Sequence, residues 1–486
     1  MLRKTLALML VLLLLPCAAL GDTLQIDFQC LNEEAEAAFL ADHPGTSVEY
    51  GQFGFIHTVN DLNTMLLTGQ MKYDIFCETN VYTDYRQTME RGYCLDLSSS
   101  EVIRRAIACM YPAIAQQLTV DGKIYGLPCE IQFDLLRADE EVFRAMGYDE
   151  SDVPKTCGDF LSFLEAWVVR QETEPESVQV FGAWDYTVYD ETTYTVELSR
   201  LILEEAIRQQ QAAGQALDFS DPSLEEALTR TRQIGRALSR IEPPSASASD
   251  GEWRDNQPAL FDRYSMNPWG TMADWGMSLR MSKEQPFTLP VLMRVAMVSA
   301  ATGQPELALA YMERLAGGGM FISRNEAFFF SDVDFVPAED FDVTLAYLEQ
   351  MVGMLEAIPM SPDAPIADLV ESSVLNGYYH DNFVYWYNAA HDEEQAEGVE
   401  DLLEKYRQQL SHMEDWRYDV SPAQVQDYRA CVDSLSFPVP SVFTPGSSQA
   451  QTFLTLLARF ASGQLDAAHL LRELDRLAQM AALEAQ

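Results

Sequence analysis

Positive charge is the scarcest resource in this chain of 486 residues: 32 lysines and arginines stand against 75 aspartates and glutamates, a formal net charge of −43. Affinity for a phosphate backbone comes from cations that displace condensed counterions, so nucleic acid is excluded as a partner. Anionic membrane surfaces are disfavoured on the same ground. Histidine is rare as well, with six residues scattered along the chain. Gly-x-x-x-x-Gly-Lys, Gly-x-Ser-x-Gly and His-Glu-x-x-His are all absent, which removes the common signatures of nucleotide, esterase and zinc-peptidase chemistry. His380-Asp381 and the acidic surface permit only weak calcium or zinc contacts, with no dense ligand loop. No metal or other cofactor is expected.

Cysteine is sparse too. Of eight, Cys17 lies in the N-terminal leader described below, and the other seven (Cys30, Cys77, Cys94, Cys109, Cys129, Cys157, Cys431) show neither Cys-x-x-Cys nor zinc-ligand spacing. An odd number leaves at least one thiol unpaired in a monomer. Buried thiols with one or two disulfides are expected, the pairing left open. Past residue 21 no uninterrupted apolar run approaches the ~20 residues that span a bilayer.

What is present begins with that leader. Arg3 and Lys4 precede the apolar stretch Leu6 to Leu15 and the small-residue pattern Ala19-Leu20-Gly21, the layout of a secretory signal peptide cut after Gly21. The expected location is therefore secreted. Cys17 offers a lipid-anchored alternative, against which Pro16 occupies the place of a small residue. With 48% hydrophobic and 22% charged residues the remainder is globular, and its length suits two packed lobes or more.

The mature chain opens with a β-α-β-α-β rhythm. Thr23 to Phe28, Ser47 to Tyr50 and Tyr73 to Cys77 read as strands, while Asn32 to Ala41 (capped by Asn32) and Leu62 to Thr68 (ended by Gly69) read as helices. This predicts a largely parallel α/β sheet, whose ligands sit beyond the strand carboxyl ends. Asp121-Gly122 between β-formers marks a hairpin, a strand follows over Ile131 to Leu136, and helices are expected at 140–146, 159–169, 197–213 and 224–241. Phe287 to Ser299 reads as a strand broken at Pro290. A helix follows over Pro305 to Leu315, and from Asp340 the chain is mainly helical.

In this order the segments resemble extracellular solute-binding proteins of family 1, the group that includes maltose-binding protein. The resemblance rests on Tyr73-Asp74-Ile75-Phe76, then Val120-Asp121-Gly122-Lys123-Ile124-Tyr125-Gly126-Leu127-Pro128, then Phe143 to Gly147 with Val153-Pro154-Lys155-Thr156. Ala259-Leu260-Phe261 through Trp269, and Val298-Ser299 with Pro305-Glu306-Leu307-Ala308, complete it. Cys157 replaces the usual aromatic residue, and Arg137-Ala138-Asp139 the usual Tyr-Asn-Lys-Asp.

The resemblance implies an α/β, two-lobed periplasmic-binding-protein type II fold with a hinge and a helix-rich C-terminal part. Residues 1–21 are the signal peptide. Residues 22–130 with about 290–330 form lobe 1, and 131–289 with about 331–486 form lobe 2 with its helical extension. It further implies a monomeric, non-enzymatic receptor that closes on a small-molecule ligand, a sugar or oligosaccharide, and presents it to an ABC transporter permease. Two other classes remain open: a secreted glycan-acting enzyme using paired carboxylates, and a transport-independent sensor or scaffold on the same fold.

Sugar capture needs flat aromatic faces and fixed polar groups. The expected ligand contacts are Trp269, Trp253 and Arg263 in one loop-rich segment, Trp184 and Tyr186 in a second, Gln52 and Phe53 after strand two, Glu78 and Tyr82 after strand three, and Glu130 beside the hinge-like Gly-Leu-Pro. Trp269 carries the position implied by the resemblance. The aromatic run Tyr378 to Tyr387 has near-helical spacing and reads as core packing.

Overall fold

The computed structural model describes residues 22–27, 30, 32–51, 59–133, 135–173, 178–182, 190–241, 258–264, 276–277, 279–319, 326–338, 340–357, 396–444, 447 and 449–484. The chain divides into two compact units: Met1–Ser323 with Phe328–Ser331 and Asp427–Gln486, and a second of Arg324–Ala327 with Asp332–Gln426.

The first unit holds two main sheets and one two-stranded hairpin among the described residues. In the larger, β1 (Thr23–Asp27) lies between β2 (Ser47–Gly51) and β3 (Ile75–Thr79), all parallel. Leu24 and Ile26 alternate inward from β1, as a half-buried strand requires. The helix Glu33–Asp42 follows β1 and is capped by Asn32, whose side chain accepts from the Ala35 amide. The helix Val59–Thr68 follows β2 and stops at Gly69, whose φ of 65° is left-handed. β4 (Thr119–Val120) and β5 (Lys123–Ile124) form the expected hairpin, with Asp121 and Gly122 both at positive φ, the conformation of a type I′ turn.

β6 (Gly126–Phe133) starts earlier than the sequence suggests, because Gly126 and Pro128 disguise it. Gly126 fits since a Cβ there would stand 3.0 Å from the Ala296 carbonyl of β11 (Leu289–Val298). Pro128 sits where the β6–β11 register slips, opposite Val295. β11 pairs antiparallel with both β6 and β3, so β11 occupies the sheet centre. Pro290 does not break it: the strand begins one residue earlier, and there pairs in parallel with β14 (Leu435–Ser436).

The second sheet runs β10-β7-β9-β8, with β7 (Leu135–Ala138), β8 (Gln179–Phe181), β9 (Ala259–Tyr264) and β10 (Gly276–Met277). Its core gathers Phe143, Phe160, Trp167, Val180 and Phe261 with the helices Cys157–Thr173, Glu191–Ala212 and Pro222–Ile241. Thr156 caps the first of these by accepting from the Asp159 amide, and Asp190 caps the second. Gly235 lets the second and third approach: a Cβ on it would stand 2.9 Å from the Thr195 amide nitrogen. The terminal helices Ala450–Ala461 and Ala467–Glu484 bury Phe453, Leu457 and Leu474 in the same core.

The second unit is mainly helical. Its helices Phe341–Ala357 and Ala396–Ser411 enclose a small core of Phe341, Leu348 and Met413, beside the two-stranded sheet of β12 (Val336–Pro337) and β13 (Tyr418–Val420). The aromatic run 378–387 lies outside the described residues. No described helix is long and apolar enough to cross a membrane.

Candidate functional site

Three chain crossings connect the two sheets of the first unit, and they meet at one edge. β6 leads through residue 134 into β7, the chain returns to the first sheet at Leu289, and β14 leads through Pro438 to Phe443 and Phe453 in the second core. β3 and β6 both run antiparallel to β11. Thr79 and Phe133, their carboxyl ends, therefore share an edge with the start of β11. This is the edge at which open α/β sheets place their ligands.

Asn80, the residue after β3, fastens that edge. Its Nδ2 donates to the Val291 carbonyl at 2.8 Å and to the Pro438 carbonyl at 3.1 Å, and its Oδ1 accepts from the Met293 amide at 2.8 Å. Only 4% of it is exposed. One amide thus joins β3 to two of the three crossings.

Beside Asn80 a crevice of ≈ 220 Å³ opens between the two sheets' elements. Asn80, Val81, Pro290 and Leu292 line one side, and the crossing Pro438, Val439, Pro440 and Ser441 lines another. The Glu191–Ala212 helix closes it with Arg200, Glu204, Ile207, Arg208 and Gln211, a single face at helical spacing. Phe443 and Phe453 add apolar wall. Arg200 Nη2 meets Glu197 at 2.6 Å and its Nε lies 3.7 Å from Glu204. Arg208 Nη2 meets the buried Glu205 at 2.9 Å. Burial pushes the Glu205 carboxyl above the ordinary glutamate range, which Arg208 and Gln209 partly oppose.

Cross-strand pairing places Leu292, Gln132, Arg294, Glu130 and Thr79 on one face of the first sheet. A polar row therefore continues the Leu292 side of the crevice. Glu130 meets Arg294 Nη1 at 2.7 Å and accepts from Gln132 Nε2 at 2.6 Å. Cys77 shares this face and is joined to Cys30 by a disulfide, which ties the chain after β1 to β3. Cys94, Cys129 and Cys157 are free and buried, and burial raises the last two thiols to about 12.

The sequence-derived candidates separate into three groups. Glu130 stands in the polar row as an ion-paired, half-buried carboxylate. Glu78 points to the opposite face, opposite Val295, and is 2% exposed; its Oε2 accepts from Thr88 Oγ1 at 3.1 Å. Burial raises its carboxyl to about 7, while the hydroxyls of Thr83 and Thr88 pull it down. Tyr82 is exposed on the segment after β3. Gln52, Phe53, Trp184, Tyr186, Trp253 and Trp269 lie outside the described residues, and Arg263 is described only as a residue of β9, opposite Leu136.

The strands that border these aromatic segments in sequence are described. β9 ends at Tyr264 opposite Leu135, the first residue of β7 after the crossing. β10 begins at Gly276 opposite Arg137. β8 runs parallel to β9, so its carboxyl end at Phe181 points the same way. Phe181 and Tyr264, the carboxyl ends of β8 and β9, thus lie at the end of the second sheet at which the chain arrives from the first.

Sequence reasoning missed Asn80, Arg200, Glu204, Arg208 and the Pro438–Ser441 crossing. The available signals were the proline-bracketed Pro438-Val439-Pro440 and the charged stripe on the Glu191–Ala212 helix.

No protein-family model and no curated protein matches the chain. Among solved structures, one from work on xylan utilisation by the thermophilic bacterium Caldanaerobius polysaccharolyticus is similar over 95% of this chain and 99% of its own, at 14% identity and a TM-score of 0.50. An ABC substrate-binding protein from Listeria monocytogenes in complex with cycloalternan is similar over 95% and 98%, at 12% identity and 0.49. A chitin oligosaccharide binding protein is similar over 96% and 100%, at 13% identity and 0.48. The first likeness shows the fold: α/β, two-lobed, of the periplasmic-binding-protein type II.

Proposed function

We propose that this chain is a secreted receptor that captures a carbohydrate between the two sheet-based lobes of its first unit and presents it to an ABC-type permease, without transforming it. The observation that carries the reading is the crevice at the shared edge, walled by elements of both sheets and bounded by crossings that Asn80 holds together. A ligand placed there touches both lobes, and so favours whichever lobe arrangement gives it the most contacts. The fold shared with a protein from a xylan-using system supports a saccharide as ligand. The leader pattern supports export, and the acidic surface suits a soluble monomer that meets a basic docking partner.

In this reading lobe 1 is residues 22–130 with about 290–330, and lobe 2 is 131–289 with about 331–486, except that β14 joins the sheet of lobe 1 and residues 332–426 form the separate, mainly helical second unit. Trp269, Trp184, Tyr186 and Trp253 supply stacking faces. Glu130, Tyr82, Arg263, Gln52 and Phe53 supply or frame polar contacts. Glu78 acts from beneath the sheet as a buried support rather than a contact.

A thermal-shift screen of the full chain over mono- and oligosaccharides tests this, since a ligand that binds only the folded state raises the melting temperature by mass action. At least one saccharide is expected to produce a shift that Trp269→Ala abolishes. A shift that survives in Trp269→Ala removes that residue from the site, and a panel without any shift removes the carbohydrate reading.

A further inference from the structure

The crevice reverses the charge balance of the protein around it. Acidic residues outnumber basic ones 75 to 32 in the chain, yet the crevice is lined by two arginines, Arg200 and Arg208, and one carboxylate, Glu204. The two arginines are not equivalent. Arg200 sits between Glu197 and Glu204, two carboxylates against one guanidinium. Arg208 has one carboxylate, Glu205, held through Nη2, and Glu205 lies buried where ionisation is disfavoured. No hydrogen bond from another Arg208 donor is found among the described residues. A guanidinium carries five N–H donors in a planar fork suited to two-pronged contact with a carboxylate.

Geometry narrows the ligand further. Eight residues at 1.5 Å rise place the two arginines about 12 Å apart along the helix, so one small acid cannot engage both. Ile207 and Gln211 flank Arg208, while Val439, Phe443 and Phe453 offer apolar surface on the facing walls. A ring with a C–H face and one acidic substituent fits these surroundings better than a neutral polyol, because a carboxylate can accept from the Arg208 donors that Glu205 does not engage.

Resting on the capture reading above, we propose that the crevice selects an acidic saccharide of the uronate class, with Arg208 as the partner of its carboxylate.

The test compares glucuronate and galacturonate with glucose and galactose, by calorimetry and thermal shift on the full chain. Each uronate is expected to bind at least tenfold more tightly than its neutral parent, with an advantage that shrinks at high salt. Arg208→Gln is expected to bring the uronate down to the level of the parent. Because that variant leaves Glu205 buried without its cation, the Arg208→Gln/Glu205→Gln double variant restores a neutral pair and is expected to show the same loss. Arg230→Gln, which opens only surface contacts with Glu165 and Ser162, is expected to keep the preference. Equal binding of acid and parent, or a uronate preference that survives in the double variant, overturns the assignment and leaves saccharide capture standing. If neither acidic nor neutral sugars bind, capture of sugars falls, and this assignment with it.

Discussion

Glu78 makes the energetics of the first sheet measurable through pH. Its carboxyl is 2% exposed and its ionisation midpoint lies at about 7 in the folded chain, against an ordinary 4.5. Burial is the main cause, and repulsion from Asp84 adds to it. Below pH 4.5 the group is protonated whether the chain is folded or not, and contributes nothing to pH dependence. Between 4.5 and 7 the unfolded chain has released the proton while the folded one retains it, so stability falls by about 1.4 kcal/mol per pH unit. Above 7 the loss is complete, on the order of 3 kcal/mol over roughly 2.5 units. No screening discount applies to a side chain closed to solvent.

Glu78→Gln keeps the shape and the acceptor for Thr88 Oγ1 but removes the proton. Urea unfolding of wild type and variant, followed by tryptophan fluorescence between pH 4.5 and 8, isolates the effect, because the other acidic residues titrate alike in both. The variant is expected to gain on wild type as pH rises, reaching an advantage of about 3 kcal/mol by pH 8. Parallel stability curves would refute the buried, neutral assignment and put Glu78 back among the solvent-facing candidates.

Asn80→Ala strips one amide nitrogen and two carbonyls of their buried partner, each worth about 1–3 kcal/mol when left unpaired, so a loss of about 3–5 kcal/mol in urea unfolding is expected. Gly235→Ala would gain up to about 1 kcal/mol in an open helix, but here the new methyl meets backbone at Thr195. A net loss of about 1–3 kcal/mol by thermal unfolding is expected instead, and a stabilised variant would show that the two helices can part.

How much of this was legible depended on whether the signal was local. The opening strands and helices announced themselves through alternation, caps and Gly69, and the Asp121-Gly122 turn through its dipeptide. β3 was displaced by two residues because Tyr73 and Asp74 look like strand. Asp74 instead bonds outward: its carboxylate accepts from the Gln25 amide at 2.8 Å and its carbonyl from the Ser299 amide at 2.9 Å. β6 was concealed by Gly126 and Pro128, whose poor strand propensity is overruled by close approach to β11 and by the register slip.

The crevice was least legible because it belongs to no single segment. Asn80 reads as a turn residue until Val291, Met293 and Pro438, more than 200 positions away, are brought to it. Arg208 reads as one charge on a helix until Pro438 to Ser441 arrive opposite. Glu78 is the reverse case. Its position after a strand suggested a ligand contact, yet side chains alternate along a strand, so a one-residue difference in register sends a carboxylate to the buried face. Thr79 shares the polar face with Arg294 and Glu130, while Glu78 shares the other with Val295. The edge at the strand carboxyl ends was therefore readable from the strand rhythm, but the face on which each side chain falls was not. That choice is made by pairing with β11, which the sequence places 200 residues later.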